Sequence, residues 1–288
     1  MERYGEVLPR SLLQQGFILD GVRIALVSPQ GIFTPAVLAL PLTITTVCGG
    51  PYQDSFNQDG LLSYKYRGTD PQHRDNVGLR QLMSLQRPLV YLHGISPGKY
   101  LAAWPVYVVG DRPETLTFTV ALDDRRFPEQ ASGISEPEEV ADSGDLGRRA
   151  YITSTFRRRL HQEAFRERVL RAYRQQCALC RLRHVELLDA AHIVPDADPL
   201  GEPVVPNGLA LCKLHHAAFD RHFLAVNPDY RVEVRADILE EEDGPMLEHG
   251  LQDLHLTRIH CPSAPNLRPG REFLERRYAL FQQAAARL

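Results

Sequence analysis

The chain has 288 residues, 43% hydrophobic and 24% charged, which gives room for about two soluble domains at roughly 100–200 residues each. No run of about 18 apolar residues occurs, so no membrane-spanning helix is expected. The N-terminus MERYGEVLPR carries charges and no apolar core, so a secretory leader is not expected and a cytoplasmic location follows. The net charge of −3 argues, as an average, weakly against nucleic acid, but the average hides an asymmetry described below.

Residues 17–48 alternate short apolar runs with Pro and Gly (FILDGVRIALV, GIFTPAVLALPLTITTV), and RPLVYLHGI, YLAAWPVYVVGD and TLTFTVAL follow. Val, Ile, Thr and Tyr dominate, and turn signals recur about every 8–12 residues, which predicts a strand-rich domain of barrel or half-barrel type. One helix is predicted within it, over 75–85, with Leu79, Leu82, Met83 and Leu85 near one face. Residues 128–147 lack aromatics and are rich in Pro, Gly, Ser and acid, a linker composition. The expected organisation is therefore a domain over 1–127, an acidic linker over 128–150 and a second domain over 151–288.

Charge changes sign across that linker. Residues 123–145 hold eight acids and two Arg, whereas residues 148–184 hold eleven Arg and two Glu. Of the 33 basic residues only Lys65, Lys99 and Lys213 are Lys. A high-GC genome accounts for Arg over Lys but not for the clustering, and a basic segment this dense is a phosphate-binding face in waiting.

In the second domain, Phe156, Leu160, Phe165, Val169, Leu170 and Tyr173 recur at near-helical spacing and predict a helix over roughly 154–176. A strand pair around 185–194, a helix around 209–220 and an amphipathic helix from Gly270 to the end follow. Two tight motifs punctuate this stretch. Cys177-Ala-Leu-Cys180 and Cys212-Lys-Leu-His215 are separated by 31 residues, and two such knuckles supply the four soft or borderline ligands of a tetrahedral structural zinc. Buried cysteines acting as small hydrophobes are the alternative, and they would not explain the paired spacing. Five cysteines, an odd number, argue against a disulfide framework.

Between and after the knuckles stand DAAHIVP with His192, PNGLALC with Asn207, and HHAAFD with His216 and Asp220. Residues 177–222, with these blocks in this order, resemble the HNH (ββα-metal) nuclease family. The resemblance implies that His192 is the general base that deprotonates the attacking water, a task that suits an imidazole. It implies that Asn207 orients the His192 ring or the loop beside it, and that His216 ligates a catalytic divalent ion. Asp220 lies four residues on, on the same helical face, and is a second ligand; a helix cap or an ion pair is the other use of that carboxylate. Many family members place an acid or His directly before the base, where this chain has Ala191. Asp189, the nearest upstream acid, is carried as a further ligand that needs a bulge or strand end to reach the ion. The ion is Mg²⁺ or Mn²⁺, or a transition ion on the imidazole. Adjacent helical residues point about 100° apart, so His215 and His216 are expected to serve different sites.

The stretch GGPYQDSFNQDGLLSYKYRG, 49–68, concentrates aromatics and acids and resembles the SRA (YDG) modified-base-binding family. That resemblance implies a flipped cytosine stacked between aromatic faces and read at its Watson–Crick edge. Tyr52 and Tyr64, with Tyr66 as an alternate, would stack, and Asp54 or Asp59 would accept from the amino group. Tyrosines at alternate strand positions also serve plain sheet packing, and Asp-Gly also serves plain turns. Arg74, Arg80 and Lys99 would add phosphate contacts.

The expected fold class is α+β: an SRA/PUA-like barrel followed by a zinc-stapled ββα-metal domain with flanking helices. The expected function is a modification-dependent DNA endonuclease that recognises 5-methyl- or 5-hydroxymethylcytosine, similar to McrA-type (type IV) restriction enzymes. Its partners are a structural Zn²⁺, a catalytic divalent ion, double-stranded DNA and a second copy of the chain, since two strands need two active sites. An HNH nuclease with another reader (sequence, phosphorothioate or structure) and a catalytically silent zinc module are the alternatives.

Overall fold

The computed structural model describes residues 7–48, 55–57, 61–122, 144–196 and 198–286, without the side chains of 55 and 144–153. The chain is mixed α+β and divides into two compact units, Met1–Glu163 and Ala164–Leu288.

The first unit carries β1 (Val7–Pro9), α1 (Arg10–Gln15), β2 (Phe17–Leu19), β3 (Val22–Ile24), β4 (Ile32–Phe33), β5 (Thr43–Thr46), β6 (Ser55–Phe56), β7 (Leu62–Lys65), α2 (Arg74–Ser84), β8 (Leu89–Ser96), β9 (Lys99–Arg112) and β10 (Thr117–Leu122). Eight strands form one sheet in the order β4-β5-β8-β9-β10-β7-β6, with β1 also pairing β9. Only β5 and β8 run parallel among these pairs. The long strand β9 changes register against β8 and against β10, and such bulges bend a strand. Among the described residues no pairing joins β4 to β6. The expected helix at 75–85 is α2, and its N-cap is His73, whose side chain accepts from the Asp75 N–H.

Tyr64 and Tyr66 point to the same buried side of β7, two residues apart. Tyr66 stacks on Phe118 with ring centroids 4.5 Å apart. Its hydroxyl is bound to Asp111, which also accepts from Arg80 Nε at 2.6 Å. A second polar chain crosses the parallel pair: Thr46 Oγ1 lies 2.9 Å from the Tyr91 hydroxyl, and that hydroxyl lies 2.6 Å from His93 Nδ1. Burial, and then the charge of His161, bring His93 down to about 4.

α3 (Gly144–Ala172) contributes residues up to Glu163 to the first unit and the rest to the second. It starts ten residues before the expected helix. The expected linker therefore falls outside the described residues up to 143, and its last seven residues are helical. The helix stops short of Gln176 because Arg174 and Gln175 take left-handed φ of 53° and 55°.

The second unit continues with β11 (Leu188–His192), β12 (Gly208–Cys212), α4 (Lys213–Asp220), β13 (Leu224–Val226), β14 (Val232–Val234), α5 (Ala236–Glu240), α6 (Pro245–Gly250) and α7 (Arg271–Ala285). The β11–β12 hairpin places Leu188 opposite Cys212 and His192 opposite Gly208. Residues 209–212 are thus strand where a helix was expected. Every residue of β12 is buried, and a strand buried on both faces has no alternation to separate it from a buried helix. Phe165, Val169 and Leu170 of α3, and Tyr173 just after it, pack on this hairpin with Phe219 and Leu274 in one core. Gly208 is required there: a Cβ would lie 2.5 Å from Val169 Cγ2 and 2.9 Å from Phe165 Cζ. Among the described residues no helix is long and apolar enough to cross a membrane.

The His93 environment sets a pH dependence. In the unfolded chain the ring protonates near 6.5; in the folded chain it does so near 4. Stability is therefore complete above about 6.5 and falls as the pH drops toward about 4, because only the unfolded state takes the proton. Urea unfolding of the first unit should show a loss of about 2 kcal/mol between pH 7 and pH 5, and His93→Gln should remove most of that loss.

Candidate functional site

Four donors meet where β12 turns into α4. The Cys177, Cys180 and Cys212 sulfurs and a ring nitrogen of His215 all lie within 4.8 Å of one another. Cys177 begins a knuckle whose turn closes through the Arg181 N–H to the Cys177 carbonyl at 3.0 Å, with Arg181 at φ 61°. The second knuckle is held against the first by the Ala178 N–H, which donates to the Ala210 carbonyl at 2.7 Å. His215 presents Nδ1 to the sulfurs of Cys212 and Cys177 at 3.2 and 3.3 Å. Its Nε2 lies 2.8 Å from the Gly250 carbonyl at the end of α6, so the Nε2–H donates and Nδ1 is free to ligate. This is the usual outer hydrogen bond of a metal-bound imidazole. The neighbouring Cys177 and Cys180 thiols pull the Cys212 thiol far below its ordinary range, and the thiolate is the ligating form. Three sulfurs and one imidazole nitrogen in this setting fit a structural zinc. Cys48 is exposed and Cys261 half-buried, and neither belongs to the cluster.

One residue on, the side chain faces elsewhere. His216 Nδ1 lies 3.5 Å from Asp189 Oδ2, and its Nε2 lies 3.3 Å from Asp220 Oδ2. The structure thus brings Asp189, His216 and Asp220 together, but on opposite edges of the ring. Asp189 also accepts from Lys213 Nζ at 2.9 Å and lies 3.6 Å from Arg166 Nε. Burial alone would raise the Asp189 carboxyl; the hydrogen bonds from His216 and Lys213 outweigh it and hold the group well below the usual carboxylate range. The bond to Asp189 raises His216 against its own burial.

His192 ends β11. Its ring lies flat on Phe165, centroids 4.0 Å apart and 16° from parallel, and the Phe165 ring itself fills the space that Gly208 leaves. Burial lowers its pKa, with Asp196, His216 and Asp220 as the charges it feels. Its Nε2 is sealed from solvent without a partner. Asn207 is fully buried and does not touch the His192 ring. It accepts from the Val194 N–H at 2.8 Å and donates to the carbonyls of Val194 and Glu202 at 3.0 Å each. It therefore clamps the chain just after His192.

Of the expected base-pocket residues, Tyr52, Asp54 and Asp59 lie outside the described residues. Tyr64 and Tyr66 are buried in the sheet core, the first with its hydroxyl donating to the Thr45 carbonyl at 3.3 Å and the second stacked on Phe118 as above. Neither offers a free ring face to a base. Arg80, expected to meet phosphate, is bound to Asp111 and Tyr66.

Some contributors carry no sequence signal. Phe165 reads as one more helical core position, Gly250 offers only a carbonyl, and Arg277 of α7 reads as one charge on an amphipathic helix. Yet Arg277 donates from Nη2 to the Phe219 carbonyl at 2.7 Å, lies over the Phe219 ring at 4.5 Å and stands 3.8 Å from Asp220 Oδ1.

Residues 177–227 match the family model described as HNH endonuclease (HNH_2), which covers the hairpin, α4 and both clusters. The chain thus carries an HNH endonuclease domain, and its activity is that of a DNA endonuclease. Among solved structures, one described as "Modification dependent TagI restriction endonuclease" aligns over 84% of this chain and 81% of its own, at 15% identity and TM-score 0.34. Another, "Structure of the Type IV phosphorothioation-dependent restriction endonuclease ScoMcrA", aligns over 65% of this chain at 15% identity and TM-score 0.24, and the chain spans about half its length (51%). No curated protein matches the chain.

The two adjacent histidines should separate in a mutational test. His215→Ala and Cys177→Ser are expected to lose bound zinc, measured by elemental analysis, and with it the cooperative unfolding of the second unit. His216→Ala should keep the zinc and a melting temperature within a few degrees of wild type, since its ring is part-exposed and surface changes usually cost within about 0.5 kcal/mol.

Proposed function

We propose that the chain is a modification-dependent DNA endonuclease that hydrolyses phosphodiester bonds at His192, with His216 and Asp220 holding a divalent ion. The observation that carries this reading is the His192 ring: clamped on Phe165, kept neutral by burial and set beside the His216–Asp220 pair. A base must be neutral to accept a proton, and it must be fixed to accept it at one place. Nε2 is the sealed nitrogen, so Nδ1 is left to take the proton from the attacking water.

His216 offers Nε2 and Asp220 offers Oδ2 on the same side, a hard-oxygen and imidazole set that suits Mg²⁺, Mn²⁺ or a transition ion. Such an ion supplies charge relief to the phosphate and the leaving oxygen. Asp189, on the Nδ1 edge, accepts the His216 Nδ1–H and so fixes the tautomer that frees Nε2. In this reading Asp189 orients His216, and its place on the Nδ1 edge supports that use over the ligand role. Asn207 holds the loop on which His192 sits. The exposed Arg168, Arg171, Arg174, Arg181 and Arg183 provide cations for the DNA backbone.

The modified cytosine is assigned to the first unit through the likeness of 49–68 to SRA readers. With Tyr64 and Tyr66 committed to the core, Tyr52, Asp54 and Asp59 carry the base-pocket reading. Action in the cytoplasm as a homodimer completes the proposal, one site per strand.

Plasmids with and without cytosine methylation, incubated with the chain in Mg²⁺ or Mn²⁺, test it. Only the methylated plasmid should be cut. Equal cutting removes the modified-base reading, and tight binding without cutting favours the silent zinc module. His192→Ala should lower the rate by about 10²–10⁴-fold with zinc and DNA binding intact. The wild-type rate should fall on acidification only below the ordinary histidine value of about 6.5, because burial lowers His192 and the neutral ring persists to lower pH.

A further inference from the structure

We propose that Arg277, on α7 and outside the matched segment, is a positioning residue of the cleavage site: it fixes the Asp220 carboxylate so that one oxygen faces the divalent ion. This rests on the reading that His216 and Asp220 hold that ion. Arg277 is 6% exposed, and among the described residues it is the only Arg or Lys in the buried class. Its Nε is buried without a partner. Burying a guanidinium costs free energy unless it is fully paired, and a cation that merely capped α4 could do so from the surface. The buried position does something the surface cannot. One Nη2 reaches both the Phe219 carbonyl, 2.7 Å away, and Asp220 Oδ1, 3.8 Å away.

The two oxygens of Asp220 are thereby divided. Oδ1 faces Arg277, and Oδ2 faces His216 Nε2 at 3.3 Å. Without Arg277 the carboxylate, which is 56% exposed, would be held from the His216 side alone. The stack on Phe219 fixes the guanidinium plane, so the direction it imposes is set by the core. Lysine would keep the charge but has neither the planar fork nor the stack.

The test is Mn²⁺ binding to the full chain with its structural zinc in place, read from the electron paramagnetic resonance signal of free Mn²⁺. Arg277→Met and Arg277→Lys should each bind Mn²⁺ at least about 10-fold more weakly than wild type, the scale of a lost outer-shell partner, while retaining zinc. Asp220→Ala should lose at least as much, and adding Arg277→Met to it should change nothing further. If Arg277→Met does not fold, Arg277→Lys decides. Wild-type Mn²⁺ affinity in a folded Arg277 variant, or additive losses in the double variant, would overturn the role of Arg277 alone. Wild-type affinity in Asp220→Ala, or no Mn²⁺ binding by wild type, would overturn the ion site itself and this role with it.

Discussion

The cluster of Cys177, Cys180, Cys212 and His215 is the constraint on which the rest of the second unit depends. It ties the turn after α3 to the junction of β12 and α4, and it does so where the hairpin has only two five-residue strands. Such a short hairpin has little core of its own, and a metal staple supplies what burial cannot. Fixing His215 also fixes the rotation of α4. The next residue then points about 100° away, toward Asp189 and Asp220 rather than toward the sulfurs. One helix start thus sets two sites, and the first makes the geometry of the second reproducible.

From that helix the site is built by packing rather than by more ligands. Gly208 leaves room for Phe165, Phe165 carries the flat face of His192, and Asn207 ties down the strand end that follows. None of these three contacts reacting atoms. Each removes a freedom that a catalytic imidazole would otherwise have, and their burial keeps that imidazole neutral. The Asn207 amide that does the holding is satisfied, as a buried amide must be, whereas the sealed Nε2 of His192 has no protein partner.

Much of this was legible in the residues. Cysteine pairs at fixed spacing have few uses outside metal binding, so the cluster of three Cys and one His could be read directly. The order His192, Asn207, His216 placed β11 and α4, but the strand pair expected within 185–194 is instead β11 paired with β12, because the burial of Leu209, Ala210 and Leu211 made a strand look like the start of a helix. What could not be read was contact at long range. Phe165 and Arg277 lie 27 and 57 residues from the groups they hold, His192 and Asp220, and a core aromatic or an exposed-looking arginine has the same local pattern whether or not it holds a catalytic group. In the first unit the same ambiguity ran the other way. Tyr64 and Tyr66 alternate as stacking residues would, but alternation on a strand is also what a buried face demands, and Phe118 and Asp111 claim Tyr66.

Asp189 shows how a departure from a family pattern is absorbed. The acid that many HNH enzymes carry just before the base is Ala191 here, and Asp189 lies two residues earlier, on the same face of β11. Moved by one pleat, the carboxylate meets the Nδ1 edge of His216 instead of the edge that faces Asp220. A group there cannot share an ion with Nε2, but it can take the Nδ1–H and make Nε2 the better donor. His216 and Lys213 keep that carboxylate ionised, and Arg166 stands 3.6 Å away. In the proposed arrangement the carboxylate at 189 therefore acts on the His216 ring, and the side of the ring that faces Asp220 is left to the ion.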